Sequence, residues 1–209
     1  MAHIPDGVLS APVLVGGWAV AAAGIAVALR KLDERTIPRT AILSAVFFVT
    51  SLIAAPVGPS SVHLLLAGLM GLMIGVLTFP AVMMGLLLQA VLFGFGGLTT
   101  IGVNTVNIAL PGVLLGALLS PFVARYNAGK AGLLAAACGA VSVALTGGGV
   151  ALALALSSSE FVPAAQVVLA TYIPLMIGEA LITGFTVSFL KRVRPEMLAG
   201  RRLAGISPE

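Results

Sequence analysis

The sequence predicts an all-α integral membrane protein: a single bundle of about seven transmembrane helices, with the N-terminus extracytoplasmic and the C-terminus cytoplasmic. Three observations lead there. Of the 209 residues, 59% are hydrophobic and only 9% are charged, where a soluble domain carries about 25% charged residues. The hydrophobic residues fall into long runs separated by polar punctuation. All eleven Lys and Arg residues fall in alternate connections and the C-terminal tail.

The first observation excludes a soluble protein, because a chain with a mean hydropathy of +1.15 has too little polar surface to stay dissolved. Its length suits roughly six to eight spans of ~20 residues. No room remains for a separate soluble domain, so 1–209 is one transmembrane domain with a short N-terminal segment, 1–8, and a cytoplasmic basic tail, 191–209. The net charge of +4 belongs to membrane-end residues and does not argue for nucleic acid. The opening residues lack a basic n-region, and the apolar run behind them is too long for a signal peptide. One cysteine, Cys138, lies in an apolar run and reads as a structural thiol.

The runs lie near 9–30, 40–57, 62–79, 81–97, 104–124, 131–156 and 166–190. The first is rich in Ala and Gly around 16–27, a smooth face for helix packing or for a partner. "KLDERTIPR" at 31–39, "GPSS" at 58–61, "GGLTTIG" at 96–102, "RYNAGK" at 125–130 and "SSSEFVP" at 157–163 separate most of them. Only Thr78-Phe79-Pro80 parts the third from the fourth. Pro80 suits the first turn of a helix, and the fused run would be too long for a bilayer. Gly68, Gly71 and Gly75 in the third run, and Gly147–Gly149 in the sixth, let helices approach closely where lipid supplies no hydrophobic drive. No internal repeat is visible, which weakens a typical secondary-transporter architecture.

Orientation follows from charge. Arg30, Lys31, Arg35 and Arg39 lie between the first two spans, Arg125 and Lys130 between the fifth and sixth, and Lys191, Arg192, Arg194, Arg201 and Arg202 after the seventh. With these segments inside, the outer segments carry none, a strong positive-inside pattern. An even number of spans would spoil it. The N-terminus, with His3, is then outside.

His3 is one of two histidines and stands close to the terminal amine. A deprotonated amine, an intervening amide that loses its proton to a metal, and an imidazole close small chelate rings. These donors lie near one plane because the peptide is planar, which suits Ni(II) or Cu(II) and fits tetrahedral zinc poorly. If Met1 is retained, residues 1–3 can fill a square by themselves. If Met1 is removed, Ala2 and His3 supply three nitrogens and one corner stays open. The other histidine, His63, starts the third span on the same outer side, where it could fill that corner. Pro5, Asp6 and Gly7 favour a turn that would fold the terminus back into the bundle. Asp6 is placed to bond a ligand or to cap the first helix.

"HIPDG" at 3–7, "SSVHLLLAGLMG" at 60–71 and "GVNTVNIALPG" at 102–112 resemble the NikM/CbiM family, the substrate-capturing S components of energy-coupling-factor (ECF) transporters for nickel and cobalt. The resemblance spans nearly the whole chain. It implies a multi-pass inner-membrane protein with seven helices, an N-terminus inserted into the bundle, and Ni(II) or Co(II) as transported substrate. The ligands it implies are Met1 or Ala2, His3 and His63. "HIPDG" is closer to the nickel branch; the cobalt branch usually reads His-Ile-Met-Glu-Gly. The family commonly begins Met-His, so Ala2 is a departure. The resemblance also implies partners: a transmembrane coupling protein, a pair of cytoplasmic ATPases and a small accessory membrane subunit, which is not fused to this chain. The chain carries no phosphate-binding Gly-x-x-x-x-Gly-Lys-Ser/Thr loop, and it is expected to be a transport subunit with no ATPase or other enzymatic activity of its own and no organic cofactor.

Further polar residues sit in or near spans. Ser61, Asn104 and Glu179 join Asp6 as candidates to support the ligands from behind, Asn104 with Asn107 lining the site or steadying His63. Gln89 reads as an interhelical hydrogen bond. Glu179, an intramembrane carboxyl and hence costly, also supports an alternative: a stand-alone proton-coupled secondary transporter. That alternative predicts that Glu179→Gln abolishes uptake in vesicles lacking any ATPase. An intramembrane enzyme would need a nucleophile–base constellation that two outer histidines and one Glu do not make.

Overall fold

The computed structural model describes residues 3–53, 55–57 and 60–198, with backbone alone at 55–57 and 60–62. The described residues form α1 (Ala11–Leu29), α2 (Thr36–Ser51), β1 (Ala55–Val57), β2 (Ser60–Val62), α3 (Ala67–Ile74), α4 (Thr78–Phe93), α5 (Ile101–Arg125), α6 (Ala128–Ser157) and α7 (Val162–Val193). Apart from one antiparallel hairpin, with Ala55 opposite Val62, the protein is helical. Helices α1, α5, α6 and α7 are each long and apolar enough to cross a membrane, as is the run Ala67–Phe93 taken together; α2 is a shorter apolar helix. Large apolar side chains such as Val15, Leu133 and Phe185 are exposed around the outside, the arrangement a bundle needs when its solvent is lipid.

Helices cover most of the expected runs, and their ends differ from the expected ones for identifiable reasons. Asn127 accepts a hydrogen bond from the Lys130 N–H and so caps α6 ahead of the predicted 131. The second helix starts at Thr36, where Asp33 accepts from the Arg35 and Thr36 N–H groups. It ends at Ser51, six residues before the expected 57, because the chain turns into the hairpin.

The third span is the main departure. It was expected as a helix over 62–79, yet residues 63–66 form no helix and α3 is only eight residues long. The Ala67–Phe93 run is also not one helix. Gly75 adopts φ +55°, a conformation natural to glycine, and the chain reverses there through a short 3-10 turn, Gly75–Leu77. The reversal follows from packing. Ala67 and Gly71 meet Gly112, and Gly71 meets Gly116, so α3 runs parallel to α5. Helix α4 returns to the start of α5 through a short connection and is antiparallel to it. Pro80 sits in the first turn of α4, as expected.

Glycines set the close approaches. A Cβ on Gly71 would run into the Gly112 carbonyl, and one on Gly112 into the Ala67 carbonyl; the α3 and α5 backbones therefore touch as only glycines allow. Between α6 and α7, Gly132, Gly139 and Gly184 play the same part. Cys138 is buried on α6 with its thiol directed at the Gly68 carbonyl, 3.7 Å away, a structural role.

Helix directions place the charges. Helices α1, α5 and α7 run one way, and α2, α4 and α6 the other. The Lys191 ammonium donates to the Ala124 carbonyl, fixing the ends of α5 and α7 side by side. All described Lys and Arg residues therefore gather at one end of the bundle, and His3 lies at the opposite end. Arg201 and Arg202 lie outside the described residues.

Candidate metal centre

The N-terminal segment is a strap laid across the bundle's mouth. Ile4 and Leu9 bury their side chains in a small cluster with Val103, Val150, Ala153, Leu154 and Ala165, the apolar contribution to docking. Polar contacts fix its register. The Ile4 N–H donates to Asn104 Oδ1 at 3.1 Å, and Asn104 Nδ2 donates to the Ile4 carbonyl at 3.0 Å. The Thr100 hydroxyl donates to the same carbonyl at 2.7 Å.

Asp6 does not cap α1; Ser10 holds the N-cap position and makes no side-chain cap. The Asp6 carboxylate instead accepts from the Leu98 N–H at 3.0 Å, the Thr99 N–H at 2.9 Å and the Thr99 hydroxyl at 2.5 Å. The Thr99 hydroxyl, first among these contacts, holds this carboxyl below the usual range. The strap can lie here because the connection from α4 to α5 carries Gly96 and Gly97. A Cβ on Gly96 would press on His3 Cβ at 3.3 Å, and one on Gly97 would collide with the Asp6 carboxylate. The stretch "GFGGLTT" reads as a loop without revealing what lies on it.

His3 is 5% exposed and His63 is 6% exposed, and their Nε2 atoms are 3.0 Å apart. Two residues sixty positions apart are thus brought together. Their protons can be assigned from their partners. His63 Nδ1 lies 3.0 Å from the Leu64 carbonyl, which only accepts, so Nδ1 carries the hydrogen and Nε2 carries a lone pair. His3 Nε2–H must then donate to it. That leaves a lone pair on His3 Nδ1, which is buried without a hydrogen-bond partner among the described residues. Burial, and then the neighbouring His63 ring, push the His3 imidazole down to about 3, so both rings are neutral in this arrangement. A buried polar atom with no partner calls for an explanation, and a ligand-ready imidazole nitrogen supplies one.

Gln89 lies beside the His3 ring. Its side chain is fully buried, and neither amide atom meets a partner at full hydrogen-bond geometry among the described residues. A lone Gln in an apolar helix was its only sequence signal. Asn104 steadies Ile4, not His63. Asn107 packs toward Gly149 and its amide nitrogen has no partner. Glu179, on α7, touches neither histidine; the Leu65 and Leu66 N–H groups donate to it. Met1 and Ala2 lie outside the described residues, as does the Ser61 side chain. Among the described residues no cluster of three His, Cys, Asp or Glu side chains forms a metal site.

A family model described as the cobalt uptake substrate-specific transmembrane region matches residues 3–197. This chain belongs to the CbiM family. Its relatives include a putative metal transport protein of Haemophilus influenzae, 36% identical over 94% of this chain and 96% of that one. A fused nickel transport protein, NikMN, of Rhodobacter capsulatus is 30% identical over 99% of this chain, which spans 66% of that relative's length. A crystal structure of a transition metal transporter superposes with a TM-score of 0.78 at 25% identity, over 97% of this chain and all of that one. Membership of the CbiM family, with these apolar helices, makes the chain a multi-pass membrane component for cobalt or nickel uptake. It is a transport component, as its CbiM-family relatives are named.

Proposed function

We propose that this protein captures Ni(II) or Co(II) from the extracytoplasmic side, using N-terminal nitrogens and histidine, and hands it inward as the substrate-specific subunit of an ATP-driven ECF transporter. The observation that carries the reading is the buried pair of imidazoles, His3 and His63, with their Nε2 atoms 3.0 Å apart. In the arrangement assigned above, His3 Nδ1 carries a lone pair with no partner among the described residues, and the His63 Nε2 lone pair accepts from His3 Nε2–H. A chelate through His3's own amide closes its six-membered ring through Nδ1. His63 Nε2 is the natural donor for a remaining corner.

In this mechanism the terminal amine, of Ala2 or of Met1, and the His3 amide join His3 Nδ1 in one plane. Planar nitrogen donors suit Ni(II). Capture exchanges the His3–His63 hydrogen bond for metal bonds and needs a small shift of the two rings. His63 keeps its tautomer through the Leu64 carbonyl, the supporting role common behind metal-bound histidines. Asn104, Thr100 and Asp6 hold the strap closed over the ion. The gathering of Lys and Arg at the end opposite His3 supports an outward site and a cytoplasmic C-terminus, with seven helical elements making the bundle. The coupling protein, ATPase pair and accessory subunit would dock from the membrane and the cytoplasm.

Ni(II) and Co(II) titrations of the full chain, with its mature terminus identified by mass spectrometry, test the reading. Acetylation of the amine should abolish tight binding, and His63→Ala should weaken it strongly if three nitrogens come from the terminus. Unchanged binding after acetylation would sink the terminal chelate. The engagement of Glu179 with two backbone amides favours this reading over the proton-coupled alternative.

A further inference from the structure

Resting on the capture reading above, we propose that Glu179 is a positioning residue for metal binding: its carboxylate anchors the broken start of α3 and so aims His63 at the ion. Three observations converge on it. First, the chain between β2 and α3 is irregular inside a buried part of the bundle. Leu65 and Leu66 are 0% and 3% exposed, and irregular backbone at such depth must have its polar groups satisfied by protein. Second, Leu66 has φ +52° and ψ +17°. It is the only non-glycine residue with positive φ among the described residues, and for a branched side chain that conformation is strained and persists only when its surroundings impose it. Third, a single oxygen, Glu179 Oε1, receives both the Leu65 and the Leu66 N–H, the latter at 2.7 Å.

Successive N–H groups converging on one anionic oxygen form the concave nest that backbone makes for anions. Here the anion is a side chain from α7, and the nest opens at the N-terminus of α3, where helical N–H groups lack partners. The link from Glu179 to the His63 ring is short: two hydrogen-bonded contacts joined by a stretch of backbone. Glu179 holds Leu65 and Leu66; the preceding carbonyl, of Leu64, accepts from His63 Nδ1 at 3.0 Å. Releasing the nest would free the Leu64 carbonyl to turn and with it the His63 ring. Glu179 Oε2 has no hydrogen-bond partner among the described residues, so among them one oxygen carries the whole interaction. An amide oxygen at that position can accept the same two bonds, which separates this role from one that needs a titrating carboxyl.

The test uses the full chain in detergent with its native terminus. Ni(II) binding is followed by calorimetry and by the ligand-field absorption of the bound ion, for the parent, Glu179→Leu, Glu179→Gln, His63→Ala and the His63→Ala/Glu179→Leu pair. Glu179→Leu should weaken Ni(II) about 10- to 100-fold, the usual effect of losing a group that orients a metal ligand. Glu179→Gln should lose less than about threefold, and Glu179→Leu should add nothing in the His63→Ala background. Parent-like affinity in Glu179→Leu would overturn the role. So would a larger loss in Glu179→Gln, or an undiminished effect of Glu179→Leu without His63. If Glu179→Leu does not fold, Glu179→Gln decides alone by the same threshold. If acetylation and His63→Ala leave binding intact, the capture reading fails and this role falls with it; if they abolish binding while Glu179→Leu does not, only the Glu179 role fails.

Discussion

Asn104→Leu isolates what holds the strap over the candidate site. The Asn104 amide pairs both ways with Ile4, accepting from its N–H at 3.1 Å and donating to its carbonyl at 3.0 Å. Leucine is close in shape and offers neither group. The carbonyl keeps the Thr100 hydroxyl at 2.7 Å, so only the Ile4 N–H is stranded, in a residue 3% exposed. A buried N–H left without an acceptor costs about 1–3 kcal/mol. Capture needs the strap docked, so this cost is expressed as lost affinity, and about 2 kcal/mol is roughly a thirtyfold rise in Kd. Calorimetric Ni(II) titration of parent and variant measures that ratio. Hydrogen exchange at the Ile4 amide reports whether the strap opens more often. Unchanged Kd together with unchanged Ile4 protection would refute the assignment of Asn104 as the strap's latch.

Four further outcomes follow from the same geometry. Asp6→Ala removes three hydrogen bonds to Leu98 and Thr99 and should speed Ni(II) dissociation in a stopped-flow chelator chase, with little change in the thermal midpoint of the bundle. Gly97→Ala should do the same for a steric reason, since its Cβ would displace the Asp6 carboxylate. Acidification should loosen the docked strap: His3 stays neutral down to about 3 when docked but takes up a proton near 6.5 when released. The released form then binds more protons across that window, so docking is fully supported above it and weakens as pH falls through it; trypsin-independent probes such as exchange at Ile4 check this. Gly71→Ala drives a Cβ into the Gly112 carbonyl and should lower the thermal midpoint in detergent, the expected overpacking cost being about 1–3 kcal/mol or more.

Hydropathy and charge made the spans and their alternation legible because both measure transfer into lipid, which depends on side chains alone. The broken third span was not legible for the same reason. "VHLLLAGLMG" is as apolar as any helix, yet residues 63–66 are not helical, and the acceptor for the Leu66 N–H is Glu179, 113 residues away. Gly75 gave a local clue to the reversal; Leu66 gave none, since leucine rarely takes positive φ. The His3–His63 pairing was anticipated from topology, two histidines placed on one side by a charge rule that used neither. Its supports were harder to read. Asn104 and Asp6 were picked out as polar residues in telling places, yet their partners are backbone groups of Ile4, Leu98 and Thr99, which no pattern of side chains reveals.

The two halves of the site are held differently, and that difference bears on which terminal chelate operates. His63 sits on a loop fixed by buried amide–carboxylate bonds to α7. The strap is held by six hydrogen bonds at the mouth of the bundle, half of them exposed and each worth about 1 kcal/mol net, so it is the half that can open. An ion chelated wholly by residues 1–3 would travel with the strap and tie it to nothing; His63 would have no part in holding it. An ion bound by three strap nitrogens and His63 joins the movable half to the fixed one, so that binding the ion and closing the site become the same event. By linkage, whatever opens the strap then lowers metal affinity, and whatever binds metal resists opening. That reciprocity is what a subunit needs if it is to hold its ion tightly outside and surrender it when its partners force the strap away, and it favours the three-plus-one chelate built on Ala2, His3 and His63.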